Sequence, residues 1–576
     1  MLRQLMRVLC HPATAAVATV AVMAGLYSLE KTPSVMPFLA AVIATIGFLI
    51  FLLSRRAYVS LYSSLAIVTI IGLASTVKYK LKGFDLHVFD FKFTGGDPQA
   101  LWFLLKGYWF FIVPVLALII VSIVAISLLA FYDKPARAKL PARMAALALM
   151  PVALYASYPL PAEEPRYFYY LGGFDASAFF VSLVDLQYAF KQGEFETRMR
   201  ATPPQAPYPD TLNCGDVSKL PDIVLVLSES QTDFKKNLPG LDTKNFFDGD
   251  FVSQDGKKHP LYVETFGGGT WVTSIALMTG ISSPDFGVQA PYLTTVLDGK
   301  VRGALPEVLA RCGYRTVEIT PVSHTFVNEG PFMQSIGYQE VLDYDKIGAT
   351  QYAHRDNFYF ATAEKVLREH HKTHDGPILL SMKTMFTHSP YFEPLVTENG
   401  MKEINFEGMS ELDEYLNRVM YSQRDFHAFL GNVKDLSQPR GTVVLEFGDH
   451  QSFVTKPYAD AVHGGNSIVD LRSVAYKTYY TVHSYNYDLD MSAFPDEPID
   501  IPFLGAALVK AARLPTSPMY SDLIALNALC KGRFHDCADR PAVDRFLRRR
   551  VDSGLLNVLP EVKGTTSGPL VGAVTR

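Results

Sequence analysis

Cysteine is scarce: the 576-residue chain has five. Cys10 lies in an apolar N-terminal region, and Cys214, Cys312, Cys530 and Cys537 lie beyond it. The close pair in "CKGRFHDC" closes a small loop if the compartment oxidises thiols; otherwise it is two unrelated free thiols. A basic excess is also lacking. Lys and Arg total 53 against 57 Asp and Glu, with no Lys/Arg-rich run, which argues against a nucleic-acid partner. No internal repeat of fixed period is visible.

Long apolar runs are present, and all of them are near the start. A bilayer core needs about 20 apolar residues in a helix. Five segments approach or reach that length: roughly 13–29, 36–53, 57–77, 108–131 and 144–158. The basic start "MLRQLMR" resembles a signal peptide, but four further spans behind it favour a retained helix. With the N-terminus inside, Arg3, Arg7, Arg55, Arg56, Lys134, Arg137, Lys139 and Arg143 collect on the cytoplasmic side. The Lys78–Lys82 cluster runs against that bias. An odd number of spans then delivers everything after Tyr158 to the outside. The outer loop "LKGFDLHVFDFKFTGGDPQALWFLLKG" reads either as an interfacial aromatic belt or as a lipid-facing surface under a catalytic domain.

Composition divides the chain into a five-helix transmembrane domain (1–158), a linker (159–216), an α/β catalytic domain (217–545) and a flexible tail (546–576). "YPLPAEEP" and "ATPPQAPYPD" in the linker cannot continue helices. Between them, "DASAFFVSLVDLQYAFKQGEFETRMR" has helical spacing and is expected to lie along the membrane surface.

From Asp222 onward, short apolar runs alternate with amphipathic segments, the pattern of a sheet covered by helices on both faces. In such sheets working residues gather beyond the carboxyl ends of the strands. Glu229 follows "DIVLVLS", His388 follows "PILLSMKTM", and Asp449 and His450 follow "GTVVLEF". A Glu, an Asp and a His converging at one sheet edge make a mixed N/O site for a divalent ion. Alone, each has a bland reading as a solvated turn residue or a satisfied core histidine. The adjacent Asp449–His450 pair carries most weight, since two polar groups ending an apolar strand need a shared partner.

"TFGGGTWVTSIALMTG" supplies a candidate nucleophile, Thr270, directly after Gly267–Gly269 and at the start of a helical pattern. Metal coordination lowers the pKa of a threonine alcohol, and a helix N-terminus favours phosphate oxygens. Gly269 and its neighbours let backbone amides approach a ligand without side-chain clash. An N-cap threonine after a glycine turn explains the turn equally well, but not the other strand ends. "REHHKTHDG", with His370, His371 and His374, reads as a solvated helical face. Arg472 and Lys477 are consistent with phosphate contact or with ordinary surface charge.

The ordered set "IVLVLSES", "GGGTWVTS", "HTFVNEGPFMQSIGYQEVLD", "MFTHSPY" and "FGDHQSF" resembles the alkaline-phosphatase/sulfatase superfamily, in particular the lipoteichoic acid synthase branch of membrane phosphoglycerol transferases. The resemblance implies five spans followed by an extracytoplasmic domain with a mixed sheet flanked by helices. It places one divalent ion, Mn2+ or Zn2+, on Glu229, Thr270, Asp449 and His450. Thr270 would attack a phospholipid head-group phosphate through a phospho-threonine intermediate. His388 would bind phosphate or move a proton, with His463, His324 and Asn328 as substrate-binding residues.

The implied enzyme is a phosphotransferase in a bacterial cytoplasmic (inner) membrane, its catalytic domain on the periplasmic or extracellular side. Its donor would be phosphatidylglycerol or phosphatidylethanolamine and its acceptor a glycan. Two departures refine this. "WVTS" after Thr270 is not the C/S-x-P-x-R context of sulfatases, which argues against sulfate-ester hydrolysis. Val327 and Glu329 stand where lipoteichoic acid synthases carry a Trp and an Arg, and a Glu there suits a cationic ethanolamine group. Motif likeness still favours phosphoglycerol. A metal-dependent phosphodiesterase is a further alternative; an idle scaffold ranks last because Glu229, Thr270, Asp449 and His450 are all present.

Overall fold

The computed structural model describes residues 2–30, 32–82, 84–93, 98–136, 140–159, 174–185, 193–241, 252–392, 395, 410–438 and 440–559. Among them, four helices are long and apolar enough to cross a membrane: Pro12–Glu30, Pro33–Ser54, Ala57–Lys80 and Trp109–Ala130. The fifth expected span forms the apolar helix Leu140–Ala156, which at 17 residues sits at the lower limit for crossing a bilayer core. The Ala57–Lys82 helix is central, packing against three of the other membrane helices.

The linker departs from expectation. Residues 160–173 and 186–192 lie outside the described residues. What is described forms two short helices, Asp175–Ser182 and Glu194–Ala201, rather than one surface helix. The first is buried: Ala176, Ala178 and Val181 face the spans. Its Ser177 donates through N and Oγ to Glu30 Oε1 and Oε2 at 2.8 and 2.6 Å. A helix whose polar end caps a buried carboxylate has more to gain inside than on the bilayer surface.

The C-terminal half is built on one eight-stranded sheet: β1 (Asp222–Ser228), β2 (His259–Tyr262), β3 (Arg315–Ile319), β4 (Glu340–Leu342), β5 (Ile378–Lys383), β6 (Thr442–Gly448), β7 (Lys477–Tyr485) and β8 (Ile499–Asp500). The order is β4-β3-β5-β1-β6-β7-β2-β8. The first five positions run parallel and β7 turns antiparallel to β6, so the sheet is mixed. Alternation along β1 fills two cores. Ile223, Leu225 and Leu227 join one with Ile275 and Leu504, from the helices Thr270–Thr279 and Ile501–Ala511. Val224 and Val226 join the other with Tyr359 and Phe426, from the helices Asp356–Thr373 and Glu411–Leu436.

The tail boundary expected at residue 545 falls inside the helix Arg540–Asp552. Val543, Phe546 and Leu547 are buried, and Leu556 bridges to Val301, so the chain to 559 belongs with the domain. Low apolar content misled the reading, because few but well-spaced apolar residues suffice for one helix face. Residues 560–576 lie outside the described residues.

Two disulfides close, Cys530–Cys537 and the longer-range Cys214–Cys312, with Cα–Cα distances of 4.7 and 5.3 Å. The second pair was not anticipated, because a separation of 98 residues gives no local signal. Cys10 is free. Thiol labelling of the denatured, unreduced protein should therefore modify Cys10 alone, and all five cysteines after reduction. Labelling of the other four without reductant would contradict both pairings.

Candidate active site

Parallel register assembles the site. Ser228 pairs with Gly448 and Leu227 with Lys383, so β1, β5 and β6 end side by side. The next residue of each strand is Glu229, Thr384 and Asp449 respectively, and β3 adds Thr320 at the same edge. Glu229, Asp449 and His450 are almost fully buried, at 2%, 0% and 2% exposure, and their ligand-type atoms lie within 4.8 Å of one another. His450 Nε2 is 3.2 Å from Asp449 Oδ2 and 3.6 Å from Glu229 Oε1.

The surrounding hydrogen bonds hold each carboxylate from behind. The backbone N–H groups of Ser230 and His450 donate to Asp449 Oδ1 at 2.7 and 2.8 Å. Ser230 Oγ donates to Glu229 Oε1 at 2.7 Å, and the Glu229 N–H donates to Thr384 Oγ1 at 3.0 Å. The His450 ring uses Nδ1 on the Gln451 carbonyl at 3.0 Å, which directs Nε2 to the carboxylates.

Thr270 begins the helix Thr270–Thr279 but is not its cap. Gly269 occupies the cap position with φ 84°, and Gly267 has φ 73°. Both are left-handed, where a side chain is strained, and a Cβ on Gly269 would stand 2.9 Å from Thr265 Oγ1. Freed from capping, Thr270 Oγ1 donates to Glu229 Oε2 at 3.0 Å. The hydroxyl is half-buried, at the floor of a cleft that Gly269, Trp271, Phe326, Tyr352 and His388 also line.

The electrostatics are those of a site missing positive charge. Burial, then the neighbouring Asp449, raises Glu229 above its usual range. Burial lifts Asp449 to about 7 and pushes His450 and His388 down. Asp449 Oδ2 and His450 Nε2 are buried without a hydrogen-bond partner. A divalent cation fits this donor set: two carboxylates, an imidazole nitrogen and the adjacent Thr270 alcohol are ordinary N/O ligands.

The remaining expected residues divide. His388 lines the cleft, with Nδ1 at 3.0 Å from the Tyr352 hydroxyl. His324 is half-buried and is not among the cleft-lining residues; its N–H donates to Asp343 Oδ2 at 3.1 Å, and its Nδ1 has no hydrogen-bond partner. Asn328 is committed elsewhere: its side-chain amide donates to the Thr294 carbonyl and Asp298 Oδ2 at 3.0 and 3.1 Å, pinning a left-handed turn. His463 is exposed at the end of the helix Lys456–His463 and is not among the cleft-lining residues. Arg472 is spent on Asp500, at 2.5 and 2.8 Å, and His371 on Asp222 at 2.7 Å. Sequence reasoning missed Ser230, Tyr352, Thr384 and Lys383. Of these only Lys383 left a signal, as a lone cation inside an apolar strand.

The Sulfatase family model matches residues 221–504. The chain carries a domain of the sulfatase/alkaline-phosphatase superfamily. The solved lipooligosaccharide phosphoethanolamine transferase A of Neisseria meningitidis, an integral membrane protein, is similar over 88% of this chain and 97% of its own, with a TM-score of 0.50 and 12% identity. The Streptococcus pyogenes phosphoglycerol transferase GacH aligns over 69% of this chain and 93% of its own, with a TM-score of 0.42 and 16% identity. An uncharacterized protein of Haemophilus influenzae is 24% identical over 305 residues, 50% of this chain and 52% of that protein. The chain thus spans about half the length of that curated relative. The likeness to the Neisseria protein bears on fold: a mixed sheet behind apolar N-terminal helices.

In this superfamily domain the metal assignment has a direct check. Titration of metal-stripped protein with Zn2+ or Mn2+ should load about one ion per chain and raise the melting temperature. His450→Ala should lose most of that binding. Full retention by this variant would remove His450 from the ligand set.

Proposed function

We propose that the protein is a membrane-anchored phosphotransferase that moves the phosphorylated head group of a glycerophospholipid to a glycan outside the bilayer, with Thr270 as nucleophile. One observation carries the reading: cleft-lining Trp271 and the segment just after His388 contact the membrane half. Phe84, just beyond the Ala57–Lys82 helix, packs edge-on against Trp271, the neighbour of Thr270, at 6.2 Å. Ser389, next to His388, donates through Oγ to the Lys80 carbonyl at 3.3 Å. Phe110 and Phe111 of the next span meet Phe392 at 5.5 and 5.9 Å. A phosphodiester at the bilayer surface therefore needs little travel to reach Thr270, which raises its effective concentration.

The chemistry follows from the geometry. Glu229 holds the Thr270 hydroxyl in one orientation, and the N–H groups at the helix start face incoming phosphate oxygens. The Thr270 oxygen forms a bond to phosphorus, and the bond from phosphorus to the diacylglycerol oxygen breaks. Diacylglycerol leaves with a proton. An acceptor hydroxyl then attacks the phospho-threonine, restoring the Thr270 alcohol. Burial keeps His388 neutral, able to take the acceptor's proton. A bound divalent ion would supply positive charge that acidifies the alcohol and offsets phosphate charge; Mn2+ and Zn2+ both accept these ligands.

Phosphatidylglycerol, favoured by motif likeness, and phosphatidylethanolamine both carry the required phosphodiester. Arg55 and Arg56 stand at the opposite end of the Ala57–Lys82 helix from Ser389. By the positive-inside rule this supports a bacterial cytoplasmic membrane location with the catalytic domain on the periplasmic or extracellular side. The two disulfides in the catalytic half agree with an oxidising compartment.

Thr270→Ala should lower diacylglycerol release from labelled phospholipid vesicles by about a thousandfold or more. Its stability should change by less than about 1 kcal/mol, because only a half-buried hydroxyl is lost. Mass spectrometry of the wild-type protein should trap a head-group phosphate on the Thr270 peptide. Near-normal turnover by the alanine variant would rule out the nucleophile.

A further inference from the structure

One wall of the cleft carries a charge cluster that the transfer chemistry leaves unused. Lys383, the last residue of β5, lines the cleft with Glu329, in company with Thr270 and His388. Its ammonium bonds Glu318 Oε1 and stands 3.0 Å from Glu329 Oε1. The three side chains are 2–5% exposed. Glu329 Oε2 accepts one further bond, from Thr320 Oγ1 at 3.4 Å, and Glu318 Oε2 has no hydrogen-bond partner.

Two carboxylates thus share one ammonium. An ion pair that served the fold alone would balance one charge with one, and a surplus buried charge is strongly unfavourable. The imbalance is met either by a proton or by a second cation. Burial pushes Glu318 up to about 7, so at neutral pH a proton meets about half of the imbalance and a cation in the cleft would meet the rest. Phe326, Tyr352 and Trp271, in the same cleft, add aromatic faces that favour a cation over a neutral group.

We infer that Glu318, Glu329 and Lys383 form a head-group selection site that takes a primary ammonium, so that the donated group is phosphoethanolamine. The inference rests on the transferase reading of Thr270 and decides between its two donors. A glycerol head group would bring hydroxyls only and leave the surplus carboxylate charge uncompensated. Glu329 also repels phosphate oxygens, which orients the diester: phosphorus towards Thr270, ammonium towards Glu329. The ammonium takes no part in bond breaking. Its binding selects and aligns the substrate.

The experiment uses full-length protein with vesicles holding equal amounts of labelled phosphatidylethanolamine and phosphatidylglycerol. The head group trapped on the Thr270 peptide and the two turnover rates are read together. The wild type should favour phosphatidylethanolamine by about 30-fold, the worth of one charge-assisted hydrogen bond. Glu329→Gln and, separately, Glu318→Gln should bring the ratio close to parity while zinc or manganese loading is retained. Should either variant fail to fold, calorimetry on the wild type decides, with O-phosphoethanolamine expected to bind more tightly than glycerol 3-phosphate. Equal or greater use of phosphatidylglycerol by the wild type would overturn the selection site and leave the transferase standing. A preference that survives both substitutions would equally remove the trio. No adduct and no diacylglycerol from either lipid would overturn the transferase reading, and this inference with it.

Discussion

The parallel pairing of β5, β1 and β6 is the constraint on which the site depends. It brings Glu229 and Asp449 to the same level at the sheet edge, each one residue past its strand. A slip of one residue in either pairing would turn a carboxylate to the opposite face of the sheet. The Val/Ile/Leu residues of β1, buried on both faces, resist such a slip because two separate cores would be exposed together. The sheet's hydrophobic packing therefore supports two buried carboxylates and an imidazole at a spacing they would not adopt unaided.

A second dependency runs through the seam between the halves. The Ala57–Lys82 helix ends beside the residue that follows His388, and the segment after it packs against Trp271. Polar ties reinforce the aromatic ones: Tyr292 donates to Asp90 Oδ1 at 3.0 Å, and Lys78 pairs with Asp90 at 2.6 Å. The helix Thr270–Thr279 and the membrane helix are thus fixed to one another by short, local contacts. Where it is described, around Phe84 and Asp90, the outer loop packs against Trp271 and Tyr292 of the soluble half.

The candidate metal ligands and the Lys383 cluster stand on different parts of the cleft. Thr270, Glu229, Asp449 and His450 come from strand ends and one helix start, where backbone amides stabilise negative charge. Glu318 comes from β3, Glu329 from the first position of the helix Glu329–Ser335 and Lys383 from the end of β5, where carboxylates outnumber ammonium. A substrate bearing a negative and a positive end matches that division. The Arg-to-Glu departure at Glu329 brings a carboxylate into contact with Lys383.

What the sequence determined by itself was whatever depends on local pattern. Apolar length marked the spans, continuous aliphatic runs marked β1, β5 and β6, and the glycine turn marked Thr270. Glu229, His388, Asp449 and His450 were legible because strand ends are where a parallel sheet exposes functional groups. The pairings of residues far apart in the chain were decided by tertiary structure. Asn328 and Arg472 looked available as polar side chains near family-like motifs, yet Thr294, Asp298 and Asp500 claim them. The Cys214–Cys312 bond and the pairing of Lys383 with Glu318 and Glu329 were silent for the same reason. A partner's identity depends on three-dimensional proximity, which residue spacing along the chain does not encode.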